Sequence, residues 1–141
     1  MVPTARRISS KAEDPLFPDV ISDDMNSPNP ERWSVKAGSA SQAQLLIPAD
    51  LHRERRFEIS CAMTVRAVDG ASSPWHELKV FADGELQWRR RIDTQNPAPF
   101  DGLDYRFSCS VPPGRALRLQ AYSVCAECRR LELTIEAEEP N

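Results

Sequence analysis

The residues best suited to ligand chemistry are Trp75 and His76, which follow a Ser-Ser-Pro turn, together with the polar residues of the segment 93–104. A tryptophan at a loop tip offers a flat apolar surface for a sugar ring, while carboxylates and amides bind its hydroxyl groups. The predicted ligand-binding site consists of Trp75, His76, Asn96, Asp101 and Asp104. The alternative is that Trp75 caps the open end of the core, since large aromatic side chains are usually mostly buried.

Two of the four cysteines form a Cys-x-x-Cys motif, from Cys125 to Cys128. A structural zinc needs four ligands, and no second motif of this kind accompanies the first. A thioredoxin-type redox pair depends on a helix N-terminus, which this region does not predict. Cys61 and Cys109 fall at alternating apolar positions, where cysteine packs as a small hydrophobic residue. We predict free thiols without a metal or cofactor, although metal binding and a disulfide at the motif both stay open.

Oxygen-bearing side chains in the loops offer the elements of a calcium site. They are Asp69, Asp93, Asn96, Asp101 and Asp104. Their spacing lacks the tight Asp-x-Asp pattern of a calcium loop, and turn formation explains them equally well.

Several arginines fall at outward strand positions, where neighbouring strands can align them into a basic surface beside Tyr122. They are Arg66, Arg89, Arg91, Arg106 and Arg118. Guanidinium groups bind carboxylates and phosphates through paired hydrogen bonds, so this surface suits an anionic polysaccharide or a phosphate-bearing ligand. The favoured alternative is cross-strand pairing with the numerous glutamates and aspartates.

The sequence gives little support for catalysis. It has two histidines, His52 and His76, and lacks a Gly-x-Ser-x-Gly elbow, a His-Glu-x-x-His motif and a phosphate-binding glycine loop. Inward strand positions are almost all apolar, which leaves no polar cleft through the core. We therefore predict a protein that is not an enzyme.

The element that must position Trp75 and His76 is a β-hairpin over His76 to Ile92. Face matching favours a three-residue loop with Gly84 as a bulge residue over a two-residue Asp83-Gly84 loop. In that register Val80 faces Leu86 and Leu78 faces Trp88, which makes one face of the hairpin continuously apolar.

Around this hairpin, seven or eight short strands are separated by glycine and proline turns. The clearest alternation runs from Phe57 to Val65, and further strands are predicted at 32–36, 42–48, 103–111, 115–124 and 129–137. The pattern predicts an all-β fold, a two-sheet antiparallel β-sandwich that is jelly-roll-like. Residues 1–31 read as a proline-rich N-terminal arm, partly disordered or docked, and 32–141 as the β-sandwich domain.

Composition excludes several classes of function. A net charge of −3 over 141 residues argues against a nucleic-acid partner, and no apolar run is long enough to span a membrane. The N-terminus lacks the apolar segment of a secretory signal, so we expect a cytoplasmic protein. The basic residues are 15 arginines and 3 lysines, a bias typical of GC-rich genomes, which suggests a bacterial source.

The segment from Trp75 to Gly84, followed by the Pro112-Pro113-Gly114 turn, resembles the strand, Asp-Gly, strand hairpin of non-catalytic carbohydrate-binding β-sandwich modules. This resemblance implies a binding module with a possible glycan ligand. The alternative is a structural or assembly protein, in which the sandwich edges or the N-terminal arm contact other subunits. The arm would do so through its apolar residues Leu16, Phe17, Val20 and Ile21. A homo-oligomer is compatible with both.

Overall fold

The computed structural model describes residues 6–9, 29–95 and 100–140, with side chains from residue 29 onward. These described residues form nine strands: β1 (Arg6–Ser9), β2 (Glu31–Lys36), β3 (Gln42–Ile47), β4 (Arg55–Ala67), β5 (Trp75–Ala82), β6 (Glu85–Asp93), β7 (Asp101–Val111), β8 (Leu117–Ala126) and β9 (Cys128–Glu138). No helix long and apolar enough to cross a membrane occurs in these ranges.

The strands build two antiparallel sheets packed face to face. One has five strands in the order β1-β2-β9-β4-β7, and the other has four in the order β3-β8-β5-β6. Except in the hairpin β5–β6 and at β1–β2, strands that are adjacent in a sheet are distant along the chain. This is jelly-roll connectivity with β1 added at one edge, which confirms the predicted fold class.

The core lies between the sheets and follows the alternation of apolar residues. On β4 the five residues predicted to point inward are all buried: Phe57, Ile59, Cys61, Met63 and Val65. The same rule places Leu133, Ile135 and Ala137 of β9 in the core. The prediction that Leu131 points inward is wrong, since this side chain is 40% exposed. Thr64 of β4 pairs with Glu132, but the next residue, Val65, pairs with Arg130. Leu131 is therefore the extra residue of a β-bulge.

The hairpin β5–β6 is closed by the two-residue loop, so the predicted three-residue loop is wrong. Ala82 pairs with Glu85, and both Asp83 (φ 49°) and Gly84 (φ 83°) are left-handed, as a type I′ turn requires. The register then shifts, since Phe81 pairs with Leu86 but Val80 pairs with Trp88. A bulge at Gln87 therefore places Trp88 opposite Val80. The predicted pairs, Val80 with Leu86 and Leu78 with Trp88, are both wrong, and Leu86 lies on the outer face opposite Phe81, 52% exposed.

The division into an arm and a sandwich domain stays a prediction. Residues 10–28, which include the apolar residues Leu16, Phe17, Val20 and Ile21 of the arm, lie outside the described residues. Arg6–Ser9 pairs with β2, opposite the segment Glu31 to Ser34.

Candidate functional site

Trp75 and His76 lie side by side at the start of β5, and their side chains point to opposite faces of the sheet. His76 is fully buried, whereas Trp75 is half-buried on the outer face. Its indole packs under the guanidinium of Arg91, whose Cζ lies 3.7 Å from the ring centroid. Because strand residues alternate, one ligand cannot contact both side chains on one surface.

His76 is fixed inside the sandwich by both ring nitrogens. Its Nε2–H donates to the Gly102 carbonyl at 3.2 Å, and Nδ1 lies 2.7 Å from the hydroxyl of Thr94, which in turn lies 3.1 Å from Cys128 Sγ. A Cβ at Gly102 would collide with the Met63 carbonyl, so glycine permits the close approach of β7 to β4 there. These contacts connect β5, β7 and β9 at one end of the sandwich.

Of the remaining residues of the predicted site, Asp101 and Asp104 belong to the five-stranded sheet, whereas Trp75 belongs to the four-stranded sheet. Asp101 accepts hydrogen bonds from the backbone N–H groups of Gln95 (3.0 Å) and Gly102 (2.8 Å), which organises the crossover. Asp104 is exposed and pairs with Ala62 of β4, so it points outward from the five-stranded sheet. Asn96 lies outside the described residues.

The Cys-x-x-Cys motif forms the corner at which the chain passes from β8 to β9. Cys125 Sγ donates to the Cys128 carbonyl at 3.4 Å, and burial is the main cause that raises the pKa of the Cys125 thiol. All four cysteines are free in this structure. Among the described residues, no three His, Cys, Asp or Glu side chains are placed to hold a metal ion.

Three of the predicted arginines do share a surface. Arg89, Arg91 and Arg118 lie on the outer face of the four-stranded sheet together with Tyr122, while Arg66 and Arg106 belong to the five-stranded sheet.

We call one part of the outer face the cationic face, a depression of about 520 Å³ lined by Glu77, Lys79, Arg89, Arg90 and Arg91. Three cations, Lys79, Arg89 and Arg91, share this face with one carboxylate, which leaves two positive charges in excess. Arg90 pairs with the buried Leu78, so its side chain points to the other face. Glu77 is nearly buried, and the atoms that approach it, Arg89 Nε and Arg91 Nη2, both stop at 3.7 Å. These loose contacts leave guanidinium donors available to a ligand.

Aromatic rings stand at both ends of the cationic face along β5. Trp75 with Arg91 marks one end, and Phe81 packs edge-on against Tyr122 at the other, with ring centroids 5.5 Å apart. Phe81 follows Trp75 by six positions along the strand, a span of roughly 20 Å. The sequence signal for this arrangement was the alternation Trp75, Glu77, Lys79, Phe81, which places all four side chains on one face.

The end of the sandwich opposite Trp75 and His76 holds a second set of arginines, which we call the arginine–carboxylate network. Arg53 donates to both carboxylate oxygens of Glu139 at 2.7 and 2.8 Å and to Glu31 at 2.8 Å. Arg55, which is buried, donates to Glu31 at 3.0 Å and to the Pro48 carbonyl at 2.8 Å. The hydrogen bond from Arg53 is the main cause that lowers the pKa of Glu139, and Arg53 has its own pKa raised by the same contact. Sequence reasoning missed this network because its members are far apart along the chain.

Comparison with known proteins gives the fold and no function. No family model matches the chain, and no curated protein matches it significantly. Among solved structures, dimeric latent PorU from Porphyromonas gingivalis is 12% identical with a TM-score of 0.52, and the match covers 75% of this chain and 10% of that chain. At this identity the likeness shows the fold alone.

Two further solved structures match at lower scores. The mosquito-larvicidal Cry4Aa toxin from Bacillus thuringiensis is 9% identical (TM-score 0.38; 79% of this chain, 19% of that chain). Eiger TNF from S. frugiperda is 11% identical (TM-score 0.39; 97% of this chain, 85% of that chain). The chain thus spans about a tenth of the PorU chain and about a fifth of the Cry4Aa chain.

Proposed function

We propose that this jelly-roll domain is a non-catalytic binding module, and that its ligand is a carbohydrate carrying negative charges, held on the cationic face. The observation that carries the proposal is the cluster of three cations, Lys79, Arg89 and Arg91, around the single, nearly buried carboxylate of Glu77. A protein with a net charge of −3 concentrates positive charge at this place. Carboxylate or sulfate groups of a glycan supply the acceptors that these donors lack.

The shape of the surface favours a chain-like ligand. The cationic face is an open depression, and the roughly 20 Å between its flanking aromatic rings exceeds the length of a single sugar ring. Trp75 and Tyr122 offer apolar edges to sugar rings, while Lys79, Arg89 and Arg91 contact the charged groups between them. Binding here needs no general base and no metal, so the module binds its ligand without chemical change.

Affinity electrophoresis in dextran sulfate, with neutral dextran as the matched polymer, tests the proposal. We expect retardation of the wild-type protein by dextran sulfate alone. R89Q combined with R91Q should weaken the interaction about tenfold or more, since two charge-assisted contacts are removed. The control is R56Q combined with R106Q, which removes two exposed arginines from the other sheet. Equal losses in both double variants would show bulk charge attraction and overturn the proposal, as would equal retardation by neutral dextran.

Assembly is the second candidate function, supported by two sheet edges. Among the described strands, β6 pairs only with β5 and β7 only with β4. Beside these edges Trp88 stacks on Tyr105 (4.8 Å between centroids), and both rings are only half-buried. Light scattering of the full chain and of a variant starting at Pro30 tests this candidate, and monomers in both cases would reject it.

A further inference from the structure

A pair of arginines on the five-stranded sheet lies outside the proposed glycan site. Arg66 of β4 and Arg129 of β9 are direct cross-strand partners, and both are exposed on the outer face. Like charges placed directly opposite one another on neighbouring strands destabilise a sheet. The pair therefore costs stability in the free protein.

No carboxylate compensates this pair within the described part of the chain. Neither guanidinium makes an ion pair there, in contrast to Arg32 on the same sheet, which contacts Glu138 at 3.1 Å. Asp69 lines the same depression, and Glu132 is the β9 partner of Thr64. Neither of these acids forms an ion pair with Arg66 or Arg129 in the described structure.

The β-bulge at Leu131 creates the pair. Regular alternation from Leu133 would point Arg129 inward and Arg130 outward. The extra residue reverses this order, so that Arg130 reaches the Ser123 carbonyl inside the sandwich (3.2 Å) and Arg129 turns to the surface opposite Arg66. Bulges commonly re-aim a side chain next to a functional site.

Beside the pair, the structure forms a depression of about 240 Å³ lined by Arg66, Ala67, Val68, Asp69 and Arg129. Its loop wall is fixed by Glu127. The Glu127 carbonyl accepts from Val68 N at 2.9 Å, and its carboxylate accepts from the backbone N–H groups of Ser72 (3.0 Å) and Ser73 (3.2 Å). A wall held in this way keeps the depression preformed beside the two arginines.

We propose that Arg66 and Arg129 bind a tetrahedral oxyanion, a phosphate or sulfate group, in this depression. An anion between two guanidinium groups accepts paired hydrogen bonds from each and replaces their repulsion by attraction. The site lies on the opposite outer face from the cationic face, so it does not depend on the proposed glycan function.

Isothermal titration of the full chain with inorganic phosphate and, separately, inorganic sulfate tests the site at constant ionic strength. We expect saturable binding at one site per chain. R66Q and R129Q should each weaken binding about tenfold or more, while the control R106Q leaves it unchanged. The anion that binds more tightly, phosphate or sulfate, shows which of the two groups the site prefers.

A second readout separates binding from a structural role. Without the anion, R129Q should raise the melting temperature by about 1–2 °C at low ionic strength, because it removes the cross-strand repulsion. A residue that merely supports the fold would lower it. Absence of saturable binding, or binding equal in the wild-type protein and both variants, would overturn the proposal; loss of glycan binding alone would leave it standing.

Discussion

The arginine–carboxylate network and the cationic face use the same side chain in opposite ways. In the network, Arg53 and Arg55 donate to fixed acceptors at 2.7–3.0 Å. On the cationic face, Arg89 and Arg91 approach Glu77 only at 3.7 Å and are more than half exposed. An arginine with satisfied donors holds the fold together, whereas one with unused donors at a surface is available to a ligand.

Burial explains why the two sets must differ. A guanidinium removed from water needs partners, since an uncompensated buried charge costs several kcal/mol. Arg55 is 3% exposed, and its guanidinium donates hydrogen bonds to three oxygen atoms. Its Nε is the only buried side-chain nitrogen or oxygen atom of the described residues that has no hydrogen-bond partner. The exposed arginines of β6 keep their hydration, so loose pairing costs them little.

The largest expected effect is the loss of Arg55. Arg55→Ala should lower the free energy of unfolding by about 3–5 kcal/mol, since it leaves Glu31 buried with one partner fewer. Urea denaturation monitored by tryptophan fluorescence measures the change. The neighbouring Arg56 is exposed on the same strand, and Arg56→Ala should change stability by less than about 0.5 kcal/mol. Equal effects of the two substitutions would contradict the assignment of the network to stability.

A smaller loss of stability is expected when the adjacent residues Trp75 and His76 of β5 are each replaced by alanine. His76→Ala should cost about 2–4 kcal/mol, because it empties a buried site and removes the hydrogen bonds from the ring to the Thr94 hydroxyl and the Gly102 carbonyl. Trp75→Ala should cost about 1 kcal/mol and weaken binding of dextran sulfate. Thermal melts and affinity electrophoresis of both variants check this, and loss of binding in His76→Ala at a temperature where it is folded would place His76 in the site.

The last of these effects is a dependence of stability on pH. The pKa of Glu139 is lowered below its usual 4.5 in the folded protein, so its contribution is fully present above that value and is lost as pH falls through the folded pKa. Glu139→Gln should therefore cost about 2 kcal/mol at pH 7, and the difference from the wild type should shrink in acid. Urea titrations between pH 7 and pH 3 measure it, and a constant difference would contradict the pairing with Arg53.

Local patterns were sufficient for the fold class. The alternation from Phe57 to Val65 alone defines a half-buried strand, and turns rich in glycine and proline separate it from the next. The two bulges, at Gln87 and Leu131, could not be predicted in this way, because each is defined by the register of a partner strand. For the hairpin, the need for a register shift was predictable, while its position in β6 was not.

The candidate site was predictable only in part. Trp75 does lie at a surface beside an arginine, but His76 was assigned to the same surface although alternation along β5 points it inward. That error came from treating both residues as loop, whereas β5 begins at Trp75 itself. The pairing of Arg66 with Arg129 joins positions 63 residues apart and depends on the β4–β9 register, which no local pattern contains.

The strand order also determines how this chain must fold. The β5–β6 hairpin joins neighbours through two residues, while the bond from Glu31 N to Glu139 Oε1 links positions 108 residues apart. Loops of that length close at a high entropic cost, so we expect the hairpin to form on the order of microseconds and the complete sandwich on the order of milliseconds to seconds. Until β9 inserts between β2 and β4, both of these strands expose unpaired edges, and this interval is when the chain is most prone to aggregate.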